Sequence, residues 1–129
     1  MVAWPLVEPS ISEGSRLIEG LELHDFPIRA ALWRFMPEAN RWRLFLASPV
    51  YDEFGPLESI HRLHKVLSES PEPYGVSLDD TWVISPNDPL IKGLKQRFKA
   101  HPERAAGSRP GGTMVGDVYV EESYNYKLT

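Results

Sequence analysis

Residues 28–48 constrain the fold of this chain more than any other stretch. Two runs of alternating apolar side chains lie on either side of a short Pro-Glu-Ala-Asn segment. In a strand, alternate side chains lie on the same face, so Trp33 and Phe35 share one face of the first run. A four-residue loop would pair Met36 with Arg41 and set the register of the remaining pairs. The pattern predicts a β-hairpin whose base is apolar on both faces, as in interior strands covered by other elements.

The predicted register places Arg34 directly opposite Arg43 near the turn of the hairpin. Like charges at such a position destabilise a sheet slightly. Screening by solvent, a carboxylate from elsewhere in the chain, or a bound anion would compensate. The sequence leaves these three alternatives open.

The rest of the chain supplies elements in the order α-β-β-α-β-α-β, with room for one more terminal strand. Pro56 and Pro89 suit first helical positions, and Asp88 suits the N-cap before Pro89. The absence of a strict βαβ rhythm predicts an α+β fold, with a largely antiparallel sheet built on the 28–48 hairpin and about three helices packed on one face. The predicted helices cover about 10–23, 56–68 and 89–100, and the predicted strands about 81–85, 113–120 and 123–128.

Length and composition indicate a single globular domain over residues 1–129. We expect residues 1–9 to form an extended arm and residues 101–112 to form a mobile basic, Gly-rich loop. The chain contains no cysteine, which excludes disulfides, thiolate nucleophiles and cysteine metal sites. No signal peptide is recognisable, and no run approaches the ~20 apolar residues that cross a bilayer. The expectation is a cytoplasmic protein with no membrane association and no cofactor.

The net charge of −4 is distributed in blocks. Residues 49–88 carry eight acids, one Arg and one Lys, whereas residues 89–109 carry six Lys or Arg and one Glu. Such blocks let acidic and basic elements pack together, or they leave one basic surface that attracts phosphate. An ordinary solvated helix face is the alternative. The candidate residues for binding an anion or nucleic acid are Arg34, Arg41, Arg43, Lys92, Lys95, Lys99 and Arg109.

His61 and His64 are weak candidates for a metal site, because residues three apart on a helix share a face. A zinc site needs at least three protein ligands, and neither cysteine nor an HExxH motif accompanies the pair. His64 also falls on the apolar stripe of its helix, so we expect a partly buried side chain there. A magnesium site would need scattered acids to converge, which their spacing does not require. These acids are Asp52, Glu53, Asp79, Asp80, Asp117, Glu121 and Glu122.

The sequence contains no nucleophile motif, P-loop or recognised nucleic-acid-binding motif. The leading hypothesis is a non-enzymatic domain that binds another protein or assembles with itself, since large aromatic side chains dominate interfaces. The alternatives are a nucleic-acid-binding accessory factor, using the basic helix 89–100 and the Arg-rich hairpin, and a metal-dependent hydrolase or nuclease. The candidate interface residues are Trp4, Trp33, Trp42, Tyr119, Tyr124 and Tyr126.

Three segments carry a resemblance to known sequences: WRLFLASPVYDEFGP, SLDDTWVISPNDPLIKGLK and GDVYVEESYNYKLT. Over most of residues 13–129 the chain resembles a family of small uncharacterised bacterial proteins with no assigned activity. The resemblance implies a bacterial protein and carries over no functional residue.

Overall fold

The fold is built around the predicted hairpin, as seen in a computed structural model that describes residues 8–97, 99, 111–115 and 118–128. Within these residues, no helix is long and apolar enough to cross a membrane. The helices are α1 (Glu8–Leu23), α2 (Pro49–Glu69) and α3 (Pro89–Arg97), with a short 3₁₀ turn at Leu78–Asp80. The strands are β1 (Ala30–Met36), β2 (Arg41–Ala47), β3 (Thr81–Ile84), β4 (Gly111–Val115) and β5 (Val118–Leu128).

Strands β1 and β2 form the hairpin in the predicted register. Met36 pairs with Arg41, and Ala30 pairs with Ala47 at the base. The loop is closed by a hydrogen bond from the Asn40 amide to the Pro37 carbonyl, and Asn40 has a positive φ of 51°. Asn tolerates this left-handed conformation better than most residues, which suits it to the last position of the loop. The hairpin and its register are therefore confirmed.

The described sheet has the strand order β3-β2-β1-β5-β4, and the α+β class is confirmed. Strand β1 is antiparallel to both β2 and β5, and β4 is antiparallel to β5. Strand β3 runs parallel to β2, because α2 carries the chain back across the sheet between them. The sheet is therefore mixed, which corrects the expectation of a largely antiparallel one.

Helices cover both faces of the sheet, which corrects the expectation that they pack on one face. Trp33 lies in a core cluster that contains apolar residues of α1 and α2. Leu32, which points the opposite way, lies in a second cluster that contains Leu90, Ile91 and Leu94 of α3. This arrangement explains why both faces of the hairpin base are apolar: each face is buried under different helices.

Helix α2 begins at Pro49, seven residues before the predicted start at Pro56. Ser48 caps this end, because its Oγ accepts a hydrogen bond of 3.2 Å from the Val50 amide. The helix is interrupted at Gly55, whose φ of 88° and ψ of 170° are not helical, and it resumes at Pro56. Residues 49–55, which lie outside the predicted helix 56–68, thus form a short helical piece ahead of it.

The ends of the other helices and strands agree with the predicted bounds in part. Asp88 caps α3 as predicted, since its Oδ1 accepts a hydrogen bond of 3.0 Å from the Leu90 amide. Helix α1 begins at Glu8, so the last part of the expected 1–9 arm is helical, and residues 1–7 lie outside the described part. The expected loop at 101–112 ends earlier, because Gly111 and Gly112 belong to β4, and residues 101–110 lie outside the described part. The last strands form the antiparallel pair β4–β5.

A hydrogen-bond relay through Tyr126 joins the first helix to the last strand. The indole N–H of Trp33 donates to the Tyr126 hydroxyl over 2.7 Å, and that hydroxyl donates to the Ile11 carbonyl over 2.5 Å. Gly14 of α1 makes room for the relay, since a Cβ there would lie 3.0 Å from Trp33 Nε1 and would clash with the Tyr126 hydroxyl. Because Trp33 is only 5% exposed, its N–H depends on this partner.

We expect Tyr126→Phe to lower the free energy of unfolding by about 1–3 kcal/mol, because a buried donor loses its acceptor. Equilibrium urea unfolding measures the change. Tyr51→Phe is the control, since the half-buried Tyr51 hydroxyl makes no hydrogen bond within the described residues. Equal effects of the two substitutions would show that the relay contributes nothing to stability.

Candidate interaction surface

Among the described residues, four large apolar side chains of α2 and β3 are exposed to solvent: Phe54, Leu57, Ile60 and Trp82. Leu57 is 82% exposed, Ile60 is 45% exposed and Trp82 is 47% exposed. Leu57, Ile60 and Leu63 recur at helical spacing, which predicts a buried stripe on α2. Of these three only Leu63 is buried, so the prediction is wrong for Leu57 and Ile60. The buried face of α2 is formed instead by Ser59, Leu63 and Val66, with Ser59 Oγ donating to the Pro56 carbonyl over 2.8 Å. Because Ser59 lies on the buried face of α2, its neighbours Leu57 and Ile60 lie on the side that faces solvent.

A hollow of about 260 Å³ lies between α2 and the edge strand β3, and both Ile60 and Trp82 line it. Leu57 and Ile60 line an adjoining depression on the same side of α2. The hollow is smaller than the ~300–1,000 Å³ of typical small-molecule sites. We call Leu57, Ile60 and this hollow the α2–β3 surface. The full lining of the hollow is Tyr51, Pro56, Ile60, Leu63, Leu78, Thr81, Trp82 and Val83.

The Trp82 ring itself lies on the opposite face of β3, in a row of aromatic and guanidinium groups, because Trp82 pairs with Phe45 of the core cluster on the α3 side. Its ring stacks on Phe45 with centroids 5.8 Å apart and an interplanar angle of 12°. The Arg43 guanidinium carbon lies 5.3 Å from the centre of the Trp82 ring, and that of Arg34 lies 5.6 Å from Phe45. Each cation is thus held against the face of an aromatic ring, which stabilises it electrostatically.

The like-charge pair predicted from the register is present, with Arg34 directly opposite Arg43. Burial lowers the pKa of the Arg34 guanidinium, and the nearby carboxylates of Glu38 and Asp88 oppose that shift. Arg43 is half-buried, and its Nε has no hydrogen-bond partner among the described residues. Of the three compensations considered, the structure provides carboxylates for Arg34, and it adds aromatic rings for both cations.

The other basic candidates are spread over the described part. Arg41 forms an ion pair with Asp80, so its charge is already neutralised next to the 3₁₀ turn. Lys92 and Lys95 lie exposed on α3, and Lys99 lies exposed just after it. Arg109 lies outside the described residues. The structure therefore brings Arg34 and Arg43 together and assigns Arg41 to an acidic partner.

Most of the predicted interface aromatics pack within the chain. Trp33 is a core residue, so the expectation that it anchors an interface is not supported by its burial. Tyr124 and Tyr126 are half-buried with rings 5.2 Å apart, and Trp42 packs edge-on against Phe35. Trp4 and the side chain of Tyr119 lie outside the described part. Trp82 was missed as a candidate, although its place between Thr81 and Val83, which are buried, was a usable alternation signal.

The HxxH pair lies on the surface. His64 is exposed, so the expectation of a partly buried side chain is wrong. The His61 Nδ1 lies 3.7 Å from Glu58 Oε2, and the hydrogen bond from Arg62 to Glu58 lowers the pKa of that carboxyl. Within the residues that the structure describes, no group of three His, Cys, Asp or Glu could hold a metal ion.

The scattered acids have separate surroundings where the structure describes them. Asp80 accepts a hydrogen bond of 3.0 Å from Ser77 in addition to its ion pair. Asp52 accepts a weak hydrogen bond of 3.5 Å from Asn87, and Asp79 is exposed in the 3₁₀ turn. Asp117 and the side chains of Glu121 and Glu122 lie outside the described part.

Comparison with known proteins gives no match: no protein-family model, no curated protein and no solved structure is similar to this chain. The resemblance to small bacterial proteins therefore stays an expectation.

We expect Trp82→Ala to lower the free energy of unfolding by about 0.5–1.5 kcal/mol, because it removes the ring stacked on Phe45. Trp82→Phe keeps an aromatic ring at this position and serves as the matched control, with a smaller loss. Urea unfolding followed by circular dichroism measures both. A loss above about 3 kcal/mol for the alanine variant would show that Trp82 is a core residue.

Proposed function

We propose that this chain is a non-enzymatic interaction domain that binds another protein, or a second copy of itself, through the α2–β3 surface. One observation supports the proposal most directly. Leu57 and Ile60 are exposed on α2 beside a hollow that Ile60 lines, and the two residues share an adjoining depression. Contiguous exposed apolar surface beside a hollow is typical of protein-binding sites, because burying it on association is favourable.

The lining of the hollow supports binding rather than chemistry. Apart from the hydroxyls of Tyr51 and Thr81 and the indole N–H of Trp82, its side chains are apolar. The Thr81 hydroxyl already donates to the Leu78 carbonyl over 2.7 Å. A hollow of this size and character fits one or two apolar side chains of a partner, which is how hot-spot residues are commonly held.

The test compares two leucines of equal exposure in the full chain. Leu57 is 82% exposed on the α2–β3 surface, and Leu23 is 83% exposed at the end of α1. Neither Leu57→Ser nor Leu23→Ser should change stability by more than about 0.5 kcal/mol, since both are surface positions. Binding is measured in two ways: by selection of displayed random peptides, and by light scattering of the protein alone at low and high salt.

We expect Leu57→Ser to weaken selected peptides or self-association about tenfold or more, because a leucine that is buried on binding contributes about 1.5–3 kcal/mol. Leu23→Ser should leave both unchanged. A salt-insensitive monomer that selects no peptide sensitive to Leu57→Ser would overturn the proposal.

The row of Arg34, Phe45, Trp82 and Arg43 favours a second candidate, binding of single-stranded nucleic acid. Single-strand binding proteins stack bases on exposed aromatic rings that lie beside cations. We expect retardation of a short oligothymidine at low salt, with affinity that falls steeply as salt rises. Trp82→Ala should weaken this binding and Leu57→Ser should not. Absence of retardation at low salt would exclude this candidate.

A further inference from the structure

We propose that the partner of the α2–β3 surface is a segment of a different protein in which a large apolar side chain lies between Lys or Arg residues. This inference rests on the proposed function and names the chemistry of the partner. It follows from the hollow, from the charges around it, and from the surroundings of the exposed apolar residues on this chain.

The hollow selects for an apolar anchor. Its walls come from Pro56, Ile60 and Leu63 of α2 on one side and from β3 on the other. A volume of about 260 Å³ is several times the ~30 Å³ share of a water molecule, so a large aliphatic or aromatic side chain fits. Because apolar transfer is the main favourable term, this anchor should supply most of the affinity.

Exposed carboxylates lie beyond each end of β3, one wall of the hollow. Asp79 is two residues before the strand, and Asp52 lies 3.5 Å from Asn87, which follows the strand. Asp52 and Glu53 follow the lining residue Tyr51, and Asp79 follows the lining residue Leu78. All three of these acids are exposed. They belong to the acidic block at 49–88, so a partner with cations on both sides of its anchor would meet opposite charge at each end.

The remaining acids nearby are already paired. Asp80 binds Arg41, and Glu58 accepts a hydrogen bond of 3.1 Å from Arg62. Arg43 lies against the Trp82 ring and would repel a cation placed there. The partner's Lys or Arg residues should therefore approach Asp52 and Asp79 on the α2 side of β3, away from Arg43.

A second copy of this chain is a poorer fit to the same surface. The exposed cations of α3 accompany apolar residues that are buried against the sheet, namely Leu90, Ile91 and Leu94. The exposed Leu23 and Phe54 have acidic neighbours in sequence. Within the described residues, no exposed large apolar side chain has Lys or Arg on both sides in sequence, so the complementary segment is expected on another protein.

The experiment is a selection of displayed random linear peptides on the immobilised full chain, followed by synthesis of the enriched peptides. We expect an enriched pattern with a large apolar residue flanked by Lys or Arg. Replacing those Lys or Arg residues with Gln should weaken binding, and added salt should weaken the unmodified peptides more than the Gln versions.

Charge variants of the protein provide the matched comparison. Asp52→Asn and Asp79→Asn should each weaken the selected peptides about two- to fivefold, as expected for exposed ion pairs. Glu19→Gln removes an exposed carboxylate of α1 and is the control, with no expected effect. None of these variants removes an apolar contact, so a loss of binding reports on charge.

The outcomes separate this inference from the proposed function. Peptides that lose binding on Leu57→Ser but carry no Lys or Arg, or that tolerate Asp52→Asn together with Asp79→Asn, would overturn the inference alone. So would a dimer that dissociates on Leu57→Ser while no peptide is enriched, since the occupant would then be a second copy. A monomer that selects no peptide would overturn both.

Discussion

The fold depends on a pair of strands that must be buried on both faces. In β1 and β2, successive residues such as Leu32 and Trp33 are both apolar and point in opposite directions. One layer of helices could cover only half of this hairpin. Helices α1 and α2 cover one face and α3 covers the other, and the short β3 pairs alongside β2. The three-layer arrangement follows from the need to remove both apolar faces from water.

On the α3 side of the sheet, the side chains of the β1–β2 hairpin change from apolar at its base to charged near its turn. At the base, opposite residues such as Ala30 and Ala47 are small and fully buried. Near the turn, Arg34 and Arg43 lie opposite each other, and rings of Phe45 and Trp82 lie beneath their guanidinium groups. The aromatic rings let two cations lie on a sheet next to an apolar core, because each ring face carries partial negative charge.

The sequence pattern predicted those parts of the fold that depend on neighbouring residues, namely strand alternation and helix capping. The alternation of residues 28–48 predicted the pairing of Met36 with Arg41, and the Asp88-Pro89 pair predicted the start of α3. The start of α2 was missed, because Ser48 and Pro49 form a capping signal that was interpreted as a loop before Gly55. The parallel pairing of β3 was missed because it depends on where α2 returns the chain, and residues 81–84 themselves do not encode it.

The candidate surface was only partly predictable, because the exposure of a side chain also depends on how distant parts of the chain pack. Composition showed which aromatic residues exist, but the sheet order decides which of them are covered. Trp33 lies on the central strand β1 and is buried, whereas Trp82 lies on the edge strand β3 and is half exposed. Leu57 and Ile60 matched a helical stripe by spacing, and only the packing of Ser59 and Leu63 shows that they face outward.

The Tyr126 relay and the strand order have a consequence for synthesis on the ribosome. Tyr126 contacts Ile11 across 115 residues of chain, and the central strand β1 takes its second neighbour from β5, near the end of the sequence. Until β5 emerges, β1 has an unpaired edge and the indole of Trp33 lacks its acceptor. The nascent chain can therefore complete its hairpin early, but its sheet can form only after β5 has emerged from the ribosome. Protection of the exposed edge during that interval is a requirement of this topology.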